Sequence, residues 1–230
     1  MDRDKLKNFI LRNLSDLEFR EIKERLEKLE MKIGDILYHP LEKTEYVYFP
    51  ETGVISVVMV LENGETIESG IIGREGFSGA AVILSEDVSP QELTIQLTGE
   101  CFRLPVNDYK SLFDKNKKFR EAALYHIYAF IAQISQNAAC LCHHNTDQRL
   151  ARWFLMFADR AEKNELDLTQ EFISQMLGVH RPTVSKNAGR LQQLGFISYN
   201  RGLVKILDRT GLENFTCECY RMIRQRLRTS

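Results

Sequence analysis

Residues 169–207 constrain the fold more than any other part of the chain. Thr169 suits a helix N-cap, because its hydroxyl can accept from a first-turn amide. Phe172, Ile173, Met176 and Leu177 follow at the spacing of one buried helical face. Gly178 stands where that helix must end, at a position that takes positive φ at little cost without a Cβ. Val179-His180-Arg181 reads as a turn. Pro182 opens a second helix, where its missing amide hydrogen is not needed, and that helix runs to Leu194 with Gly195 as its cap. Residues 196–199 and 203–207 flank Asn200-Arg201-Gly202 and read as a β-hairpin. Two helices at a corner followed directly by a hairpin predict a winged helix-turn-helix.

The second helix has two unlike sides. With Val184 placed on the buried side, Ala188 and Leu191 fall within about 40° of it, whereas Pro182, Ser185, Lys186 and Gly189 lie roughly 100–200° away. Arg181 and Arg190 flank this outer side, and Gly189 leaves room for close approach to a groove wall. Such side chains donate to base edges and phosphates, so the expected partner is double-stranded DNA. The candidate contacts are Thr169, Gln170, His180, Arg181, Pro182, Thr183, Ser185, Lys186, Gly189 and Arg190, with Arg201 reaching the sugar-phosphate backbone from the hairpin tip.

Charge supports this placement. The chain as a whole carries a formal −1. Residues 147–230, however, hold 14 Lys and Arg against 9 Asp and Glu, a surplus of five, so the first 146 residues carry −6. The part suited to a polyanion is therefore the C-terminal one.

Upstream, Ser15 and Glu18 form a capping box and Leu14 can staple onto Phe19, which predicts a helix over residues 16–29 with Phe19, Ile22, Leu26 and Leu29 on one face. From residue 33 to 104 the helical period gives way to short runs rich in Val, Ile, Tyr and Thr, at residues 45–49, 54–61, 66–72 and 93–97. Asn63-Gly64 between two of these runs predicts a hairpin with a type I′ turn. Many short strands at close spacing suggest a sandwich or barrel.

An unbroken helix is predicted over residues 117–142, with two apolar seams. Ala123, Ile127, Phe130, Ile134, Asn137 and Leu141 form one, and Leu124, Tyr128, Ile131, Ser135, Ala138 and Cys142 form the other. One seam can cover the chain's own barrel while the other meets a second copy, and the first is assigned to a dimer helix. Polar residues 144–146 then mark a boundary before another helical run at residues 150–161. The expected domains are residues 1–114, 115–146 and 147–230.

The layout resembles the catabolite activator and fumarate-nitrate reduction regulator (Crp/Fnr) family. The resemblance spans nearly the whole chain. It is most specific in Asp147-Gln148-Arg149-Leu150-Ala151-Arg152-Trp153, Leu168-Thr169-Gln170-Glu171-Phe172, Leu177-Gly178-Val179-His180-Arg181-Pro182-Thr183-Val184-Ser185 and Gly195-Phe196-Ile197. It implies an α+β architecture. An N-terminal double-stranded β-helix (jelly-roll-like β-roll) serves as sensor, followed by a long dimerisation helix and a C-terminal winged helix-turn-helix. The implied function is a homodimeric, sequence-specific transcription regulator controlled at the β-roll, with RNA polymerase a candidate partner and no membrane association.

Two departures limit what the resemblance implies. Familiar members carry Arg-Glu-x-x-x-Arg on the recognition helix, but here the matching positions are Arg181, Pro182 and Lys186, so the Glu that would accept from a cytosine amine is missing. Cyclic-nucleotide-binding members have a Gly-Glu pair and later Arg-Ser-Ala, whereas Gly73-Arg74 and Pro90-Gln91-Glu92 align there. Gly73, Arg74, Glu75, Gly76 and Gln91 are the candidate effector pocket. Cyclic AMP is not expected, and no cofactor is predicted.

Metal chemistry is not expected either. Cys140-Leu141-Cys142-His143-His144 and Cys217-Glu218-Cys219 have the composition of ligands, but Cys140 and Cys142 lie about 200° apart on a continuous helix. The family's iron-sulfur members place their cysteines near the N-terminus, where none precedes Cys101. An alternative is a small-molecule, redox or metal-sensing module, or a cupin-like β-roll enzyme, that does not bind DNA. The barrel region offers only His39 and no G-x-S-x-G nucleophile, so no enzyme is expected. Five cysteines without a disulfide framework, no run of about 18 apolar residues and a charged N-terminus predict a cytoplasmic protein.

Overall fold

The computed structural model describes residues 2–84 and 88–227. The chain divides into two compact units, one built mainly from the residues up to Val57 and from Ile71–Ile131, the other from Val58–Gly70 and Ala132–Arg226.

In the first unit the strands are β1 (Glu27–Met31), β2 (Ile36–Tyr38), β3 (Tyr46–Pro50), β4 (Val54–Val60), β5 (Thr66–Ile72), β6 (Glu92–Leu97) and β7 (Gly99–Pro105), of which β4 and β5 continue into the second. They form a three-stranded sheet in the order β1-β7-β3 and a four-stranded sheet in the order β2-β6-β4-β5, the expected β-roll. Before them stand α1 (Phe9–Arg12) and α2 (Asp16–Ile22). The capping box of Ser15 and Glu18 is formed. The helix expected to reach residue 29 nevertheless stops at Ile22, because Glu27–Met31 pairs antiparallel with β7, Glu27 opposite Arg103. Leu26 kept the helical period going only because it is buried from the loop between helix and strand.

Two long-bodied helices follow, α3 (Val106–Lys115) and α4 (Lys117–His143). Tyr109 of α3 and Phe119 of α4 complete an aromatic cluster with Phe49 and Phe77. The seam assigned to a partner needs correction. Ala123 and Ile127 are buried in this same core, Phe130 packs on the neighbouring one, and Asn137 is only 7% exposed. The open seam is the other one, with Leu124, Tyr128 and Ile131 each about half exposed. Periodicity defined both stripes, but sheet packing decided which was used.

The second unit is organised on α5 (Thr146–Ala161), whose Trp153, Phe154 and Phe157 are buried. Around it lie β8 (Glu165–Asp167), α6 (Gln170–Leu177), α7 (Arg181–Gln193), β9 (Ile197–Asn200), β10 (Leu203–Ile206), α8 (Arg209–Phe215) and α9 (Cys219–Arg224), with a sheet ordered β8-β10-β9. The β4–β5 hairpin tip belongs to this unit. It does not make the expected type I′ turn, because only Gly64 has positive φ. Gly64 N–H donates to the Leu61 carbonyl and Leu61 N–H to that of Glu65, which makes a three-residue loop ending in a glycine bulge. Among the described residues no helix is long and apolar enough to cross a membrane.

Candidate nucleic-acid interface and sensor loop

The α6–α7 corner is built by the local devices its sequence suggested. Thr169 Oγ1 accepts from Phe172 N–H at 3.2 Å, and Gly178 takes φ +59° at the C-cap of α6. Arg181 and Pro182 occupy the first turn of α7 after His180, one residue earlier than expected. Val184, Ala188 and Leu191 are fully buried, which fixes the opposite face outward. His180, Arg181, Pro182, Ser185, Lys186 and Arg190 are exposed there, and Thr183 is half-buried. A Cβ built on Gly189 would meet nothing within 4 Å among the described residues, so the middle of this face is open.

The wing holds the two-residue turn that the other hairpin lacks. Arg201 and Gly202 both have positive φ, +47° and +86°, while Asn200 pairs with Leu203. A non-glycine residue in this conformation is costly, and here it presents Arg201 at the tip. The wing is tied to the corner at its base. Leu168 N–H donates to the Gly202 carbonyl at 2.6 Å, and Tyr199 Oη donates to that of Leu168 at 2.7 Å. Burial pushes the Tyr199 hydroxyl up to about 12, opposed by the nearby Arg181 charge. Exposed Thr169 borders the wing, where a Cβ on Gly202 would come within 3.6 Å of its Cγ2, and Gln170 is half-buried on α6. Arg190 has partners of its own, an ion pair with buried Asp147 and the Phe215 ring 5.7 Å away. It anchors α7 onto α5 and α8.

The candidate effector residues are gathered only in part. Gly73, Glu75 and Gly76 are buried in one loop, while Arg74 and Gln91 are half-buried. The loop is closed from inside by His126 of α4, whose Nε2 lies 2.9 Å from the Phe77 carbonyl and 3.3 Å from its amide nitrogen. A Cβ on Gly76 would stand 1.9 Å from the imidazole. Asn8 Nδ2 donates to the carbonyls of Gly76 and Pro50, and Phe9 N–H to that of Arg74. No local pattern marks His126 or Asn8 for this role, because neither lies near the loop in the chain. A separate cavity of about 440 Å³ in the same unit is lined by Tyr38, Glu42, Lys43, Tyr46, Tyr48 and Arg103, among others.

A further group forms against the expectation from helix spacing. Cys140, His144, Cys217 and Cys219 converge, with one ligand-type atom of each within 4.8 Å of the others, whereas Cys142 is exposed. The 200° separation of Cys140 and Cys142 is real; the partner of Cys140 is instead His144, one helical turn on. The clue in the sequence was Cys-x-x-x-His at a helix end combined with a distant Cys-x-Cys.

Residues 28–116 match a cyclic nucleotide-binding domain family, and residues 148–215 match a Crp-like helix-turn-helix domain family. Similar solved structures include a protein described as a Crp/Fnr transcriptional regulator from Eubacterium rectale, with 18% identity, TM-score 0.69, and 90% of this chain and 97% of that one covered. A Crp/Fnr-family regulator from Thermus thermophilus has 19% identity and TM-score 0.69 over 82% and 97% of the two chains. A c-di-GMP responsive global regulator from Xanthomonas campestris has 13% identity and TM-score 0.69 over 84% and 99%. No curated protein matches the chain significantly.

Proposed function

Because the chain belongs to the Crp/Fnr family and is a DNA-binding transcription regulator, we propose that it binds a two-fold symmetric operator as a homodimer, with one α7 in the major groove of each half-site. The observation that carries this reading is the division of α7, with Val184, Ala188 and Leu191 buried and Arg181, Ser185 and Lys186 exposed around Gly189. Base contacts come from Arg181, Ser185 and Lys186, and phosphate contacts from Thr169, Gln170, His180, Thr183 and Arg201. Pro182 leaves the cytosine-reading position without an acceptor, so the operator differs from that of members with Glu there. Arg190 serves α7 by holding its orientation.

The exposed seam of Leu124, Tyr128 and Ile131 supports pairing of two α4 helices, which sets half-sites about 34 Å apart. The β-roll receives the controlling signal. Cyclic AMP is a poor candidate, because Pro90 stands where an arginine would hold the cyclic phosphate and His126 closes the loop from within. The protein acts in the cytoplasm, without catalysis, and RNA polymerase is its further partner.

Selection of bound fragments from random DNA, followed by gel-shift titration, tests the reading. A palindromic consensus is expected, with affinity lowered by Arg181→Ala and by Lys186→Ala. Absence of enrichment, or unchanged affinity in both variants, would overturn it.

A further inference from the structure

Cys140 lies on the last full turn of α4, and the backbone bond from His144 N–H to the Cys140 carbonyl, 3.1 Å, carries that turn through to His144. The two side chains therefore share one helix face. Cys217 precedes α9 and Cys219 begins it, so a short Cys-x-Cys corner meets that face. All three thiols are buried, between 0% and 4% exposed, in a cluster made of cysteines alone.

The separations fit a metal tetrahedron. An ion bound at about 2.3 Å to sulfur and about 2.0 Å to imidazole nitrogen needs edges of about 3.8 Å between sulfurs and about 3.5 Å between sulfur and nitrogen. Cys140 Sγ lies 3.6 Å from Cys217 Sγ, and Cys219 Sγ 3.5 Å from His144 Nδ1. With Nδ1 facing the sulfurs, His144 Nε2 stands 3.2 Å from Glu218 Oε2. A carboxylate on the far nitrogen of a ligating histidine fixes its tautomer and raises its basicity. Gln136 Nε2 donates to Cys219 Sγ at 3.1 Å, which supports a thiolate there.

Charge around the group points the same way. Arg149 and Arg152 are buried, 7% and 5% exposed, and each keeps a guanidinium Nε with no hydrogen-bond partner among the described residues. Cys140 interacts electrostatically with both Arg152 and Arg149. Three thiolates on a divalent ion leave one net negative charge, which two buried cations would stabilise.

We propose that Cys140, His144, Cys217 and Cys219 form a closed structural site for one Zn(II) ion, joining the end of α4 to the corner between α8 and α9. Three cysteines and one histidine, with no place left for water, are a zinc donor set, and binding releases the three thiol protons. The site sits at residue 144, where the long helix gives way to α5, and so stiffens that junction.

Full-length protein purified under reducing conditions, without chelator, is expected to hold about one zinc per chain by elemental analysis. The metal should persist in Cys142→Ser and Cys101→Ser and be lost in Cys217→Ser and Cys219→Ser. Wild-type protein stripped and reloaded with Co(II) should show the thiolate charge-transfer and visible bands of a tetrahedral sulfur-rich site, a readout that holds even if a variant fails to fold. DNA affinity enters neither measurement. Failure of the reduced wild type to take up zinc or cobalt would overturn the proposal. So would iron with acid-labile sulfide, or a Cys140–Cys217 disulfide in metal-free protein as isolated.

Discussion

Trp153 Nε1 donates to Glu68 Oε1 at 2.9 Å, linking the β4–β5 hairpin to the core of α5. Asn137 Nδ2 adds a second tie to the Ser69 carbonyl at 2.8 Å. The hairpin thus ends against the helix that supports the DNA-reading corner. Glu68→Ala leaves a buried indole N–H without this acceptor, and a loss of about 1–3 kcal/mol is expected in urea unfolding. Trp153 is the only tryptophan, so its emission reports the same site. Unchanged emission and unchanged stability would show that the bond carries no weight.

Gly178 meets two demands at once. Its φ of +59° ends α6, and a Cβ would stand 3.1 Å from Ile67 Cδ1. Gly178→Ala should therefore cost about 1–2 kcal/mol from the left-handed backbone alone, with any displacement of Ile67 added to that. Chemical denaturation measures the sum. A second variant, Ile67→Ala combined with Gly178→Ala, separates the terms, because it removes the contact and keeps the backbone strain.

Gly76 and His126 should behave as a coupled pair. Gly76→Ala places a methyl group against the imidazole and is expected to lose about 1–3 kcal/mol by overpacking. His126→Ala removes the ring that closes the loop, and the double variant should recover part of the loss. A double-mutant cycle giving additive effects would contradict this geometry.

What could be read from the sequence was mostly local. The capping box at Ser15, the N-cap at Thr169 and the glycine stop at Gly178 rest on backbone demands that neighbouring residues reveal. Where two local rules agreed with different partners, packing decided. Leu26 and Leu29 fit a helix, yet pairing with β7 takes the chain from Glu27 onward. The α4 seams differ by one residue, about 100° of rotation, and only the barrel's position selects Ala123 over Leu124 for burial. The Asn63-Gly64 pair formed a hairpin but left Asn63 at negative φ, while the type I′ turn fell at Arg201-Gly202. His126 was out of reach, since it closes a loop from a distant segment, whereas the cysteine group left a trace in Cys140-x-x-x-His144 and Cys217-x-Cys219 that only the fold could unite.

Gly189 offers the sharpest separation of folding from DNA reading. It sits inside α7, where a glycine costs about 1 kcal/mol relative to alanine, and among the described residues nothing lies within 4 Å of the added Cβ. Gly189→Ala should therefore stabilise the free protein by roughly 0.5–1 kcal/mol. If this face enters the major groove, larger side chains at the same position, as in Gly189→Leu, should keep that stability yet weaken operator binding by crowding the groove wall. Lys186→Ala and Arg201→Ala complete the comparison. A base contact from Lys186 should cost about 1–3 kcal/mol and relax preference at one position, whereas a phosphate contact from Arg201 should weaken all sequences alike and lower the salt slope by about one. Gel-shift titrations at several salt concentrations distinguish these outcomes. Full operator affinity in Gly189→Leu would place the recognition surface elsewhere on the second unit.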